Sequence, residues 1–223
     1  MTSTISLLVV ALLAADPPLT IGKITTGATQ VELRNTGTQP INAWAFAVSS
    51  PNASGGIHRV FHSSDVYLSE VTGGLQGAEP HLRLLQPGAT RAVPVDPLPA
   101  GASVQVVAVV LDDNTAFGDD QTIASFFEKR VAERDGLKKV VDTFNAALQS
   151  QRGAAALQDL KRRFAAGEGT AESVPHRSAR LAVDAWLQRT GASDDDVDRS
   201  LRTYAAFVTK QYEAASNHAT RKG

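Results

Sequence analysis

The stretch Ser103–Asp120, SVQVVAVVLDDNTAFGDD, decides the fold that the sequence predicts. Its first half, Val104 to Leu111, is almost continuously apolar, as in a β-strand buried within a sheet or against helices. An acidic turn follows, and Asp119 then stands where a helix N-cap is expected, because its carboxylate can accept a hydrogen bond from the first turn. The stretch therefore predicts a change from β-structure to α-helix near residue 119.

The composition of the chain changes at the same point. Residues 16–118 contain nine of the ten prolines and eleven of the seventeen glycines, and short alternating apolar runs lie between these turn residues. That pattern is typical of an antiparallel sandwich. In residues 119–217, apolar side chains recur at helical spacing, which predicts about four α-helices. We therefore predict an α+β chain, with an N-terminal immunoglobulin-like antiparallel β-sandwich followed by a helical region.

Individual elements can also be predicted. Ile41–Ser49 alternates so that Trp44, Phe46 and Val48 share one face, which makes them expected core residues. Val66–Leu68 is predicted as a further short strand. Near the end of the chain, Ser193 and Asp196 have the spacing of a capping box that opens the last helix. Residues 218–223 are predicted to form a disordered tail.

Three segments carry a resemblance to a known group of proteins: RNTGTQPINAWAF (34–46), LLQPGATRAVPV (84–95) and ASVQVVAVVLDDNTAFGD (102–119). They are similar to segments of uncharacterised secreted bacterial proteins in which an immunoglobulin- or fibronectin-like sandwich precedes helices. The resemblance implies a fold and brings no assigned chemistry. In those relatives a glycine commonly stands at the place of Asn114, so we expect Asn114 to adopt a positive φ.

The amino terminus contains the apolar run Ile5–Ala15, ISLLVVALLAA, which ends in small residues. This is the outline of a secretory signal, and the run is shorter than the ~20 residues that a membrane-spanning helix needs. We predict that residues 1–15 form a signal peptide and that the protein is secreted or periplasmic. No Lys or Arg precedes the run and Leu13 occupies the −3 place, so an uncleaved apolar strand or short helix is the alternative.

The composition excludes several kinds of chemistry. The chain has no cysteine, which excludes disulfides, thiolate nucleophiles, cysteine-ligated zinc and iron–sulfur clusters. Its formal net charge of −1 gives no reason to expect nucleic acid as a partner. Phosphate-binding loops, dinucleotide fingerprints and nucleophile elbows are absent from the sequence. We predict no cofactor, no nucleic-acid partner and no transmembrane span after signal cleavage.

Two groups of residues are candidate metal ligands. His58 and His62 have the spacing of a zincin helix, but Arg59 stands where the general-base glutamate is required and the context is a strand. Oxygen ligands of the calcium type are gathered around the acidic turn, without the spacing of an EF-hand; they are Asp112, Asp113, Asp119 and Asp120. The alternatives are solvated histidines, and turn and cap roles for the aspartates.

Three functional hypotheses follow. The leading one is a non-enzymatic extracytoplasmic interaction or structural module with a protein partner in the cell envelope or outside it, because sandwiches present edges and loops to partners. One alternative is a hydrolase or metal-dependent enzyme at the junction of sandwich and helices, built from His58, His62, Asp112 or Asp113. Another is helix-mediated assembly through the long first helix, whose near-heptad spacing permits a partner helix.

Overall fold

The computed structural model describes residues 17–52, 54–73, 83–166, 173–189 and 191–222. In these residues the chain forms seven strands in two antiparallel sheets and five helices, most of them C-terminal to the sheets. The predicted α+β class is therefore confirmed. The predicted signal segment, residues 1–15, lies outside the described residues.

Each sheet is antiparallel throughout. The first sheet consists of β1 (Leu19–Ile21), β2 (Gln30–Asn35) and β5 (Thr90–Pro94), in the order β1-β2-β5. The second sheet has the order β4-β3-β6-β7. Its strands are β3 (Ile41–Pro51), β4 (Ile57–Asp65), β6 (Ser103–Leu111) and β7 (Ala116–Gly118).

One apolar core lies between the two sheets. Val31 and Leu33 of β2 point inward at every second position, as the alternation of a strand requires, and they are fully buried. From the facing sheet, Trp44, Phe46 and Val48 of β3 enter the same core. Their predicted role as core residues is confirmed.

The second sheet is also covered on its other face, by the N-terminal part of α2 (Asp120–Ser150). Small side chains on β3, including Ala43, Ala45 and Ala47, allow Phe126 and Phe127 of α2 to pack closely on the sheet. Burial on both faces explains why the apolar run in β6 is nearly continuous rather than alternating.

The helices form a further core of their own. The remaining helices are α1 (Ser69–Thr72), α3 (Gly153–Ala166), α4 (Val174–Leu187) and α5 (Asp194–His218). The buried side chains that they share with α2 include Leu137, Phe144, Leu160, Phe164, Val183 and Leu201. None of the helices in the described part of the chain is both long and apolar enough to cross a membrane.

The local signals at turns and helix starts are confirmed. The Asp119 carboxylate accepts a hydrogen bond of 2.8 Å from the N–H of Thr122, as an N-cap does. Ser193 caps α5 by accepting from the N–H of Asp196 at 3.2 Å. Asn114 has a φ of +69°, the positive φ that was predicted for it.

Two predicted segments differ from the structure. Val66–Leu68 is not a strand, because Ser69 N–H donates to the Val66 carbonyl and turns the chain into α1. The tail predicted to be disordered is packed over residues 218–222, where Lys222 N–H donates to the Asn114 carbonyl at 3.1 Å. The short strand β7 was not predicted.

Candidate functional site

A buried arginine lies where the second sheet, α2 and the end of α5 meet. Arg130 has no exposed surface, and its Nε and Nη2 donate to the two carboxylate oxygens of Asp65 at 2.9 and 2.8 Å. Nη2 also donates to Oδ1 of Asn42 at 2.8 Å. The planar guanidinium matches a carboxylate in this two-point geometry, so Asp65 balances the charge of the buried cation.

Further contacts extend this cluster to four elements. The guanidinium carbon lies 4.7 Å from the centre of the Tyr67 ring and 5.2 Å from that of Phe127, within the range of cation–π attraction. Nη1 donates to the carbonyl of His218 at 3.4 Å. Arg130 therefore links β3, β4, α2 and α5 through one side chain.

Tyr67 and Glu133 are polar residues that line a cleft next to the Arg130 cluster. The Tyr67 hydroxyl donates to Oε2 of Glu133 at 2.7 Å. Burial, together with this hydrogen bond and the negative charge of Glu133, raises the pKa of Tyr67 far above its ordinary value. Tyr67 therefore remains a protonated donor at neutral pH and is not a candidate general base.

The cleft itself encloses about 370 Å³ between the turn after β4, α1, α2, α4 and α5. Among the described residues that line it, the charged side chains are Asp65 and Glu133, and no lysine or arginine is present. One wall is apolar and includes Leu137, Pro175 and Phe207. A concave site with an apolar wall and a few convergent polar groups is the usual form of a small-molecule site.

Three of the four candidate aspartates at the acidic turn, Asp113, Asp119 and Asp120, use their carboxylates in contacts with other described residues. Asp113 accepts hydrogen bonds from Nζ of Lys222 at 2.9 Å and from the N–H of Thr115 at 3.0 Å, and these two contacts lower its pKa well below its usual range. Asp120 pairs with Arg221 at 2.9 Å. Asp119 caps α2, and the backbone N–H of Asp112 donates to the Pro40 carbonyl. Cap, turn and ion-pair roles thus account for the contacts of this turn.

The two histidines lie elsewhere, on β4. His58 and His62 line a second cavity of about 240 Å³ together with Val95 and Pro97, and the ring of His62 stacks on Phe46 at a centroid distance of 4.9 Å. The described residues include no group of three or more His, Asp or Glu side chains placed to hold a metal ion. His62 lies opposite Phe46 of β3, whereas the acidic turn follows Leu111, which lies opposite Ile41. The histidines and the acidic turn are therefore separated along the sheet.

Strand β4 forms one edge of the second sheet. Ile57 is 77% exposed and Phe61 is 57% exposed, although both are large and apolar. Arg59 lies between them in sequence, and its guanidinium carbon is 4.9 Å from the centre of the Phe61 ring. Ile57, Arg59 and Phe61 therefore form a row on one face of an edge strand, which we call the β4 row.

The sequence indicated a strand around His58 and His62 but did not identify Arg130, Tyr67 or Glu133 as site residues. One signal for Arg130 was present: it falls seven residues after Ile123 and seven before Leu137, on the apolar stripe of α2. A cation on an apolar stripe is expected to have a buried partner. Tyr67 and Glu133 carry no comparable signal, because they meet only in the folded chain.

No family model, curated protein or solved structure matches this chain. The resemblance to secreted bacterial sandwich proteins therefore stays a prediction. The support for a function comes from the geometry of the chain itself.

Proposed function

We propose that the protein is a non-enzymatic interaction module that acts outside the cytoplasm and binds an extended segment of a partner protein along strand β4. The observation that carries this proposal is the β4 row, in which Ile57 and Phe61 are exposed on a nine-residue edge strand. Monomeric proteins usually protect such an edge, because its unpaired backbone groups can accept another strand.

The strand orders support an immunoglobulin-like sandwich as the scaffold. The order β1-β2-β5 corresponds to A-B-E of immunoglobulin domains, and β3-β6-β7 corresponds to C-F-G. Strand β4 then takes the place of C′, which is the added outer strand of the second sheet. On this assignment the proposed docking strand belongs to the scaffold itself rather than to a loop.

Addition of a partner strand would use both the backbone and the side chains of β4. No other strand in the described ranges pairs with its outer edge, and β4 contains neither proline nor lysine, two residues that commonly protect edges. Backbone hydrogen bonds provide affinity in this mode of binding, and alternate side chains provide specificity. The β4 row would favour a strand of the pattern apolar–x–acidic–x–apolar, with the acidic residue opposite Arg59.

A second copy of this chain fits the β4 row less well than a different partner does. In a two-fold antiparallel pair of β4 strands, Ile57 lies opposite Phe61 of the other copy in one register only. In that register Arg59 lies directly opposite Arg59 of the other copy. Like charges directly opposite each other destabilise a strand pair. We therefore propose that the partner strand comes from a different protein.

The two alternative functions have weaker support. The residues of the enzyme hypothesis lie apart, with His58 and His62 on β4 and Asp113 paired with Lys222 near the chain end. The assembly hypothesis needs an unused apolar face on α2, whereas its apolar stripe already packs within the chain, through Phe127 on the sheet and Phe144 among the helices.

Export from the cytoplasm is the second part of the proposal, and the apolar run Ile5–Ala15 supports it. Expression of the full chain in a bacterium, followed by N-terminal sequencing of the exported protein, tests this part. We expect the exported form to begin at Asp16. Retention in the cytoplasm with an intact N-terminus would contradict it.

Selection from a displayed library of random peptides tests the docking strand. Selected peptides are expected to share the alternating pattern given above and to protect the amides of β4 from hydrogen exchange. Ile57→Lys combined with Phe61→Lys should abolish binding, because both side chains would lose their apolar contacts. Leu181→Lys is the matched control, since Leu181 on α4 is 56% exposed and lies off the edge strand.

Three outcomes would overturn the docking proposal. The first is a library that yields no binder, and the second is binding that survives both lysine substitutions. The third is a sedimentation profile in which the wild-type chain forms a dimer that the β4 substitutions dissociate, because the edge would then be occupied by a second copy.

A further inference from the structure

We infer that the cleft beside Tyr67 and Glu133 is a binding site for a small organic ammonium ion, with Glu133 as its carboxylate partner. The cleft encloses about 370 Å³ and is separate from the β4 row, so this inference is independent of the docking strand. A volume of that order is sufficient for a small ligand with an apolar tail.

The charge of the cleft favours a cation. Two carboxylates line it, but that of Asp65 is held by Arg130 through two hydrogen bonds and is neutralised by this pairing. Glu133 has no ion pair with a described residue, and no described lysine or arginine lines the cleft. The net charge presented to a ligand is therefore negative and is centred on Glu133.

Glu133 is also oriented for binding. Its Oε2 accepts the hydrogen bond from Tyr67 at 2.7 Å, which fixes the carboxylate, while Oε1 accepts none from the described residues. Because the raised pKa of Tyr67 keeps the hydroxyl protonated, this orientation persists through the neutral pH range. An ammonium group can donate to Oε1 in a charge-assisted hydrogen bond.

The apolar wall determines what kind of cation fits. Leu137, Phe207 and Val208 line the same cleft as Glu133, so the tail of an organic ammonium ion can be buried while its charged end meets the carboxylate. Each methylene buried in this way strengthens binding by about fourfold. A bare calcium ion is less suited, because it takes roughly six to eight oxygen ligands.

Calorimetric titration with three probes of matched shape tests the inference. The probes are phenethylammonium, which is cationic, phenethyl alcohol, which is neutral, and hydrocinnamate, which is anionic. We expect binding of phenethylammonium only, because the alcohol lacks the charge and the acid is repelled by Glu133. Binding should also raise the melting temperature of the protein.

Variants then locate the binding to the cleft. Glu133→Gln keeps the acceptor for Tyr67 but removes the charge, and should weaken phenethylammonium binding at least about tenfold. Glu128→Gln makes the same change at an exposed position of α2 outside the cleft and should leave binding unchanged. Ser178→Phe fills the cleft from the exposed surface of α4 and should block binding with Glu133 intact.

The inference is wrong if phenethylammonium does not bind at millimolar concentration, or if hydrocinnamate binds equally well. It is also wrong if phenethylammonium binds Glu133→Gln and wild type with the same affinity. If Glu133→Gln does not fold, the Ser178→Phe variant decides: undiminished binding there places the ligand outside the cleft and overturns the inference.

Discussion

At the scale of single residues, Arg130 joins the second sheet to the helices through polar contacts with Asp65, Asn42 and His218. A fully buried guanidinium is stable only because Asp65 and Asn42 accept its hydrogen bonds and two aromatic rings flank it. A buried ion pair such as Arg130–Asp65 adds little to the free energy of unfolding compared with well-packed apolar side chains. Loss of one partner, however, leaves the charge of the other uncompensated. The contacts of Arg130 therefore matter most as a set.

Replacing Arg130 with methionine is expected to lower the free energy of unfolding by about 3–5 kcal/mol, because Asp65 would keep its charge without a partner. Chemical denaturation measures this change. Arg134→Met is the control, since Arg134 pairs with Asp135 near the surface of the same helix and should cost less than about 1 kcal/mol. Equal losses in the two variants would show that the buried cluster has no special role.

His218 is expected to make stability depend on pH. Burial is the main cause that lowers the pKa of His218; the negative charges of Asp112, Asp65 and Glu70 act in the opposite direction, and the positive charge of Arg130 lowers it further. As pH falls below about 6.5, the unfolded chain takes up the proton before the folded chain does, so stability is lost between that value and the lower folded pKa.

Urea midpoints measured from pH 7.5 down to pH 5, roughly the range around the ordinary histidine pKa, test this prediction. The wild-type midpoint should fall as the pH is lowered, and the His218→Gln variant should show a smaller decrease because glutamine does not titrate. Parallel curves for the two proteins would mean that His218 titrates alike in the folded and unfolded chains.

At the scale of elements, α2 connects the two halves of the molecule and contains a glycine for a steric reason. A Cβ at Gly136 would lie 2.7 Å from Oγ and 3.1 Å from Cβ of Ser173, the N-cap of α4. Glycine in a helix interior usually costs about 1 kcal/mol relative to alanine. Here the absence of a side chain allows α4 to approach α2.

Gly136→Ala is therefore expected to destabilise the protein by about 1–3 kcal/mol through overpacking, contrary to the usual gain for this substitution in a helix. Thermal and urea unfolding provide the measurement. The double variant Gly136→Ala, Ser173→Gly should recover most of the loss, because glycine is tolerated at an N-cap at a cost of a few tenths of a kcal/mol. A stabilised single variant would contradict the proposed contact.

The elements that sequence predicted well are those with local causes. The caps at Asp119 and Ser193 and the shared face of Trp44, Phe46 and Val48 depend on neighbours a few residues away in sequence. They could therefore be predicted from local patterns. The packing of residues 218–222 depends on Asn114, which lies more than a hundred residues earlier in the chain, so no local pattern predicts this packing. The cleft could not be predicted from local patterns either, because Tyr67 and Glu133 become neighbours only in the folded chain, where α2 packs against the sheet.

At the scale of the whole molecule, the sheets and the helices are expected to behave as one cooperative body. α2 is 31 residues long, or roughly 46 Å, and its apolar side chains enter both the sheet-facing core and the helical core. Arg130 lies between these two regions of the helix and binds β3, β4 and α5. Loss of either half would therefore expose the apolar surface of the other.

Unfolding followed by two probes in one variant tests this cooperativity most directly. Trp186→Phe leaves Trp44 as the sole tryptophan, and Trp44 is buried in the core between the sheets, so its fluorescence reports on the β part. Far-ultraviolet circular dichroism of the same sample reports mainly on the helices. We predict that the two signals change with the same denaturant midpoint. Two separate transitions, with the helices unfolding while Trp44 remains buried, would contradict a single body joined through α2 and Arg130.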